Sequence, residues 1–145
     1  GDLSEDLRLQ VQTLQLQNKI IFKGFIAPEN LNPITQNAYI GINVSENLGL
    51  SYYYSLNNKC FDYIHAELPS ITNNFPEYQQ INSKHEVAVM CELTTQNLVQ
   101  AINLLLNDVQ LHARLVTNCK AAKMEYNWQK ESQKLLTIYR SVAAI

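Results

Sequence analysis

The sequence predicts an α/β fold in which a parallel sheet of about four strands is flanked by helices. Three observations carry that expectation. Short β-branched or aromatic runs alternate with segments of helical period. The run 38–44 (AYIGINV) is almost continuously apolar, as a central parallel strand buried on both faces must be. The C-terminal third is helical, with Leu98, Ala101, Ile102 and Leu105 falling at i, i+3, i+4 and i+7.

Taken in order, Ser4 followed by Glu5 and Asp6 starts a helix, a capping side chain ahead of acids that the helix dipole favours. Leu7, Val11 and Leu14 continue it at helical spacing, and Asn18 ends the pattern. Residues 19–25 (KIIFKGF) read as a strand closed by Gly24. A brief helix over 28–36 follows, with Pro28 in its first turn. Beyond the strand at 38–44, residues 45–57 form the longest irregular stretch, rich in Tyr, Ser and Asn. A helix over 58–66, a short strand over 69–72, a helix over 76–82 and a fourth strand over 87–90 complete the alternation. Thr94 or Thr95 caps the next helix, and Asn107 with Gln110 starts another with a pair like a capping box. Asn127 precedes a last helix striped by Trp128, Leu135, Leu136, Tyr139 and Val142. No repeat or linker divides the chain, so residues 1–145 are expected to form a single domain.

Composition removes several classes of function. A chain of 145 residues with 46% apolar content can bury a real core, which argues against intrinsic disorder. Eleven basic and thirteen acidic residues give a net charge of −2, with no basic run suited to nucleic acid. No apolar run is long enough to span a bilayer, and residues 1–6 lack the layout of a signal peptide. A cytoplasmic location is the default expectation, with peripheral attachment to an inner membrane left open. Cys60, Cys91 and Cys119 are odd in number and widely spaced, which reads as free thiols in a reducing compartment. His65, His85 and His112 are dispersed, so neither metal nor cofactor is expected. The four glycines form no GxG or GxxxxGK, which leaves out a dinucleotide fingerprint and a P-loop.

In parallel sheets ligands sit outside the carboxyl ends of the strands. Attention therefore falls on the loop after 38–44 and on the helix that follows. On a helix beginning near Asn57, Phe61 and Ile64 share one flank with Cys60. Asn58, Asp62 and His65 line another at i, i+4 and i+7, with Lys59 one turn before Asp62. Unpaired N–H groups and the positive dipole end at such a helix start suit a phosphate or diphosphate. A carboxylate one turn further in, at Asp62, can accept hydrogen bonds from a ribose diol. The plain alternative is a solvated polar helix face. His65 reads better as a surface histidine than as a ligand. Tyr52, Tyr53 and Tyr54 could stack on a base or sugar, although partial burial in an ordered loop explains them somewhat better.

The order NK-x-F-D-Y-I-x-A-x-L-P over 58–69, followed by a short strand and Asn74-Phe75-Pro76-Glu77-Tyr78, resembles glycosyltransferase family 4 (group 1) of the GT-B architecture. Further stretches agree in order and spacing. Phe22-Lys23-Gly24-Phe25 is similar to the family's FxG strand, and residues 101–108 (AINLLLND) to its AIxxLLxD helix. Residues 126–139 resemble its terminal helix of the form (Y/F)NWxKExxKLLxIY. The resemblance covers essentially the whole chain.

That resemblance implies a Rossmann-like, donor-binding part of a retaining glycosyltransferase. Its sugar would come from a UDP or GDP sugar and pass to a glycan or lipid-linked acceptor. Asp62 takes the place of the family's ribose-binding Glu. The amides around Ser55, Leu56, Asn57, Asn58 and Lys59 would contact the donor diphosphate and sugar, and Gly24, Phe25 and Ile26 would lie on the nucleobase side. The chain starts about where a second strand would have ended, so it is expected to carry strands three to six and to lack the acceptor domain. Alone it is expected to be inactive and to pair through an exposed sheet edge. Two departures stand out. The first acid of the family's EGFGxxxxEA signature falls on Tyr54, with Glu46 the nearest acid in that loop. Glu67 occupies the place where a glycine usually closes the helix in a left-handed turn. A sugar-nucleotide epimerase or hydrolase, or a non-catalytic α/β interaction domain, are the alternative readings.

Overall fold

A computed structural model describes residues 3–143, leaving the first two residues, with which the expectation about the chain's start begins, outside the described part. The chain forms two compact units, residues 1–30 and 31–145. The N-terminal unit holds α1 (Ser4–Thr13), and the boundary falls within α2 (Pro28–Gln36). In the larger unit the order is β1 (Gly41–Asn43), α3 (Leu50–Tyr53), α4 (Asn58–His65), β2 (Ser70–Asn73), α5 (Pro76–His85), β3 (Ala88–Cys91), α6 (Thr95–Asn107), α7 (Val109–Lys123) and α8 (Trp128–Ala143).

The three strands are parallel and lie in the order β1-β2-β3. Gly41, Ile42 and Asn43 face Ser70, Ile71 and Thr72, and β2 meets β3 through Ser70–Ala88, Ile71–Val89, Thr72–Met90 and Asn73–Cys91. The α/β class and the parallel sheet are as expected, but the sheet has three strands rather than four. Residues 19–25 form no strand. Ile21 is 76% exposed and Phe25 92% exposed, and neither belongs to a strand ladder. β-Propensity is a preference for a pleated, half-buried place, and without a partner ladder it produces only extended chain. Gly24 still turns the segment, at φ +68, where a Cβ is disfavoured.

Two apolar clusters sandwich the sheet. Ile71 packs with Ala101, Leu105 and Leu115, and Val89 joins them. Ala88, adjacent to Val89 and so directed to the other face, packs with Cys60, Ile64, Phe75, Tyr78, Ile81, Val87, Cys119 and Ala122. α7 contributes to both, through Leu115 on one side and Cys119 and Ala122 on the other. The expected free thiols include two that are buried, and burial pushes Cys60 up to about 11 and Cys119 up to about 12. Both therefore stay protonated and unreactive near neutral pH.

The caps show how closely local chemistry sets the boundaries. Thr94 accepts from the Asn97 N–H, and Asn127 accepts from the Lys130 N–H, both as the sequence suggests. The cap of α7 is Asp108, accepting from the Leu111 N–H, and not Asn107, which is the last residue of α6. A carboxylate answers a helix dipole better than an amide does, and it takes the position. The stretch 45–57 is less irregular than expected, since α3 forms within it.

Three helices end on non-glycine residues in the left-handed region, α1 on Gln15 at φ +55, α4 on Glu67 at φ +58 and α5 on Glu86 at φ +43. At α4, Leu68 N–H donates to Tyr63 O and Glu67 N–H to Ile64 O, the paired bonds of a Schellman motif. Basic residues of α7 hold both carboxylates. Lys123 binds Glu67 with Lys120 at 3.5 Å, and Arg114 reaches Glu86 at 3.0 Å. A second cluster joins Glu125 to Lys84 and, at 2.9 Å, to His85. Lys123 lowers the Glu67 carboxyl below its ordinary value, and Lys84, followed by His85, lowers that of Glu125.

A depressed carboxyl stabilises the fold above its unfolded value, near 4.5, and the contribution is lost as pH falls through the lower folded value. Thermal midpoints should therefore drop below that pH, and Glu67→Gln should flatten the acid limb. Parallel acid limbs for the two proteins would show that the ion pairs leave stability untouched.

Candidate functional site

The carboxyl ends of β1 and β2 open onto the start of α4. Asn57 stands at the N-cap with extended backbone (ψ 160), but its side chain makes no capping bond. Its amide instead donates to Asn43 Oδ1 at 2.7 Å, and its N–H reaches the Tyr78 hydroxyl at 3.5 Å. The backbone N–H groups of Asn58 and Lys59 have no partner among the described residues, and the first turn holds no acid. α4 thus presents open donors and the positive end of its dipole with nothing of the protein's own to neutralise them.

Asp62 sits one turn in, exposed, and its carboxylate has no partner among the described residues. Lys59 is exposed on the preceding turn. Between β1 and α4 lies Tyr63, whose hydroxyl donates to Ile42 O at 3.2 Å. Burial is the main influence raising the pKa of that phenol. Asn73, at the end of β2, accepts from the Ser45 N–H at 2.7 Å and so ties the loop after β1 to the neighbouring strand.

The structure brings Asn57, Asn58, Lys59 and Asp62 together along the first turns of one helix. Ser55 turns back on the preceding loop, its hydroxyl donating to Tyr52 O at 2.9 Å, and Leu56 packs against the core. His65 does not join them. Its Nε2 pairs with Tyr126 O at 2.8 Å, and it lines a groove of about 430 Å³ with Phe61, Tyr126, Trp128 and Glu131. Of the three consecutive tyrosines, Tyr53 is packed against Phe75 at 5.4 Å between ring centroids, while Tyr52 and Tyr54 are exposed. Glu46 is exposed in the loop. Gly24, Phe25 and Ile26 belong to the N-terminal unit, where Phe25 is open to solvent and Ile26 is half-buried.

Sequence reasoning missed Asn43, Asn73 and Tyr63. For the two asparagines a signal existed: each is the last residue of its strand, and the carboxyl ends of parallel strands are where ligands sit.

Comparison with solved structures finds sucrose-phosphate synthase from Thermosynechococcus elongatus, with a TM-score of 0.81 and 19% identity. The match covers 99% of this chain and 35% of that one. This chain has the fold of the matched part of that one. This chain accordingly spans about a third of its neighbour's length. No protein-family model matches the sequence, and no curated protein matches it either. No helix among the described residues is long and apolar enough to cross a membrane.

Proposed function

We propose that this chain is the donor-binding part of a retaining glycosyltransferase of GT-B architecture, holding a UDP or GDP sugar for transfer to a glycan or lipid-linked acceptor. The observation that carries the reading is the start of α4. Unpaired N–H groups at Asn58 and Lys59 open at the carboxyl end of a parallel sheet, with an unengaged carboxylate one turn further in. A diphosphate offers acceptors and negative charge to those donors, and the Asp62 carboxylate is placed on the same helix to accept from the two ribose hydroxyls. As the bond between the sugar's anomeric carbon and the phosphate oxygen breaks and the glycosidic bond to the acceptor forms, charge grows on the departing diphosphate. Fixed amides and the dipole stabilise that charge without having to reorient. The fold match to a sugar-transferring synthase supports this assignment, as do the family-like motifs along the chain.

Calorimetric titration with UDP and GDP should show saturable binding of one of them. Asp62→Ala should weaken that binding on the order of tenfold, the loss of a charged hydrogen bond to the ribose. Failure of both nucleotides to bind would remove the donor reading, and equal affinity in the variant would remove Asp62 from it.

A further inference from the structure

Asn43 is 2% exposed at the carboxyl end of β1, and it is only half satisfied. Its Oδ1 accepts from Asn57 Nδ2, leaving Asn43 Nδ2 and Asn57 Oδ1 buried with no partner among the described residues. A buried donor or acceptor left unpaired bears its full desolvation cost, and native proteins rarely keep one without a reason. Two lie here, on side chains already bonded to each other, at the start of the helix with open N–H groups.

Turning both amides over does not change the outcome. The bond between them would then run from Asn43 to Asn57, and one donor and one acceptor would still be left. Whatever completes the pair must therefore donate one hydrogen bond and accept another. A phosphate oxygen only accepts, and it would meet Asn57 Oδ1 with like partial charge. A hydroxyl does both.

We infer that Asn43 and Asn57 together form a hydroxyl-reading subsite for the sugar of the bound donor, rather than a contact to its diphosphate. The identity of that ligand rests on the donor reading proposed above; the demand for a hydroxyl rests on the asparagine pair alone. Asn57 backbone N–H is occupied by Tyr78, which leaves its side chain as the recognition group. Both orphaned atoms are shielded from water, so a hydroxyl reaches them only as a neighbouring side chain gives way. Epimers then differ in whether the hydroxyl at the epimeric carbon meets the two amides. The pair thus sets sugar choice.

The test follows the side-chain amide resonances of Asn43 and Asn57 in the isotopically labelled chain by nuclear magnetic resonance. Free glucose, mannose and galactose are added in separate series, then inorganic phosphate, then UDP and GDP. One hexose is expected to move both resonances saturably, and phosphate to leave them in place. Asn57→Ala should weaken the hexose effect at Asn43 on the order of tenfold. Asn57→Ser, which puts a favoured N-cap residue at the start of α4, should do the same with the fold intact. Movement by phosphate and not by any hexose would overturn the subsite, as would silence to both, the sign of a pair closed on a resident water. Hexose binding without UDP or GDP binding would leave the subsite standing while the donor reading falls.

Discussion

Ile71→Ala should cost about 2–5 kcal/mol of folding stability, the range for removing a large aliphatic side chain from a core that cannot collapse around the gap. Ile71 is 0% exposed in the middle of the central strand, and its backbone is paired on one side to Ile42 and on the other to Val89. Its side chain meets Leu105 and Leu115 from two helices that are themselves buried there. With ladders holding both flanks, the strand cannot sink toward α6 and α7, and the cavity stays open. Ile71→Val, which deletes one methylene, should cost only about 0.5–1.5 kcal/mol. Urea denaturation of the three proteins checks this, provided the m-value is unchanged. A loss below about 1 kcal/mol for the alanine would mean that the cluster repacks, and that β2 is not the fixed rail on which the site is built.

The strand that carries Ile71 was open to sequence reading, as residues 69–72, because strand and helix segments follow local pattern. The run 38–44 does yield a strand, β1, but at the edge of the sheet rather than its centre, and with Ile42 47% exposed it is not buried on both faces: an apolar run shows that a strand forms, not which place it takes in the sheet. The spacing of Phe61 and Ile64 beside Cys60 can only turn that flank inward, and the three residues do meet in one cluster. Glu67 was legible for a different reason. The chain needed a left-handed residue after α4, and the absence of glycine there foretold a costlier turn, which the structure holds with two lysines of α7.

What stayed hidden depends on partners distant in sequence. Residues 19–25 have the composition of a strand, yet pairing is a property of two segments, and among the described residues this segment enters no ladder. Asn43 and Asn57 are fourteen residues apart, and nothing local says that their amides meet. Tyr63 looks like an ordinary helix aromatic until the approach of α4 to β1 lays its ring over a glycine. The helix of the candidate site could thus be found from its residues, while the contacts that tune it could not.

Gly41→Ala should destabilise the fold by about 1–3 kcal/mol, the cost of forcing extra volume into a packed contact. A Cβ at Gly41 would fall 2.6 Å, 2.7 Å and 2.9 Å from Cδ2, Cε2 and Cγ of Tyr63. The ring cannot simply swing aside, because its hydroxyl is bonded to Ile42 O on the same strand and Cγ lies close to the helix backbone. Nor can β1 recede, since the Gly41 N–H donates to Pro69 O across the sheet at 2.9 Å. α4 must therefore move, and it carries Asp62 beside Tyr63, with Asn57 at its start. Stability and nucleotide binding should fall together in this variant, although Gly41 is placed to touch no ligand. Adding Tyr63→Ala opens the space the new methyl needs, so the two losses should combine to less than their sum, by about 0.5–3 kcal/mol. Strict additivity in that double-mutant cycle would show that the strand and the helix adjust independently, and that β1 does not position the start of α4 through this contact.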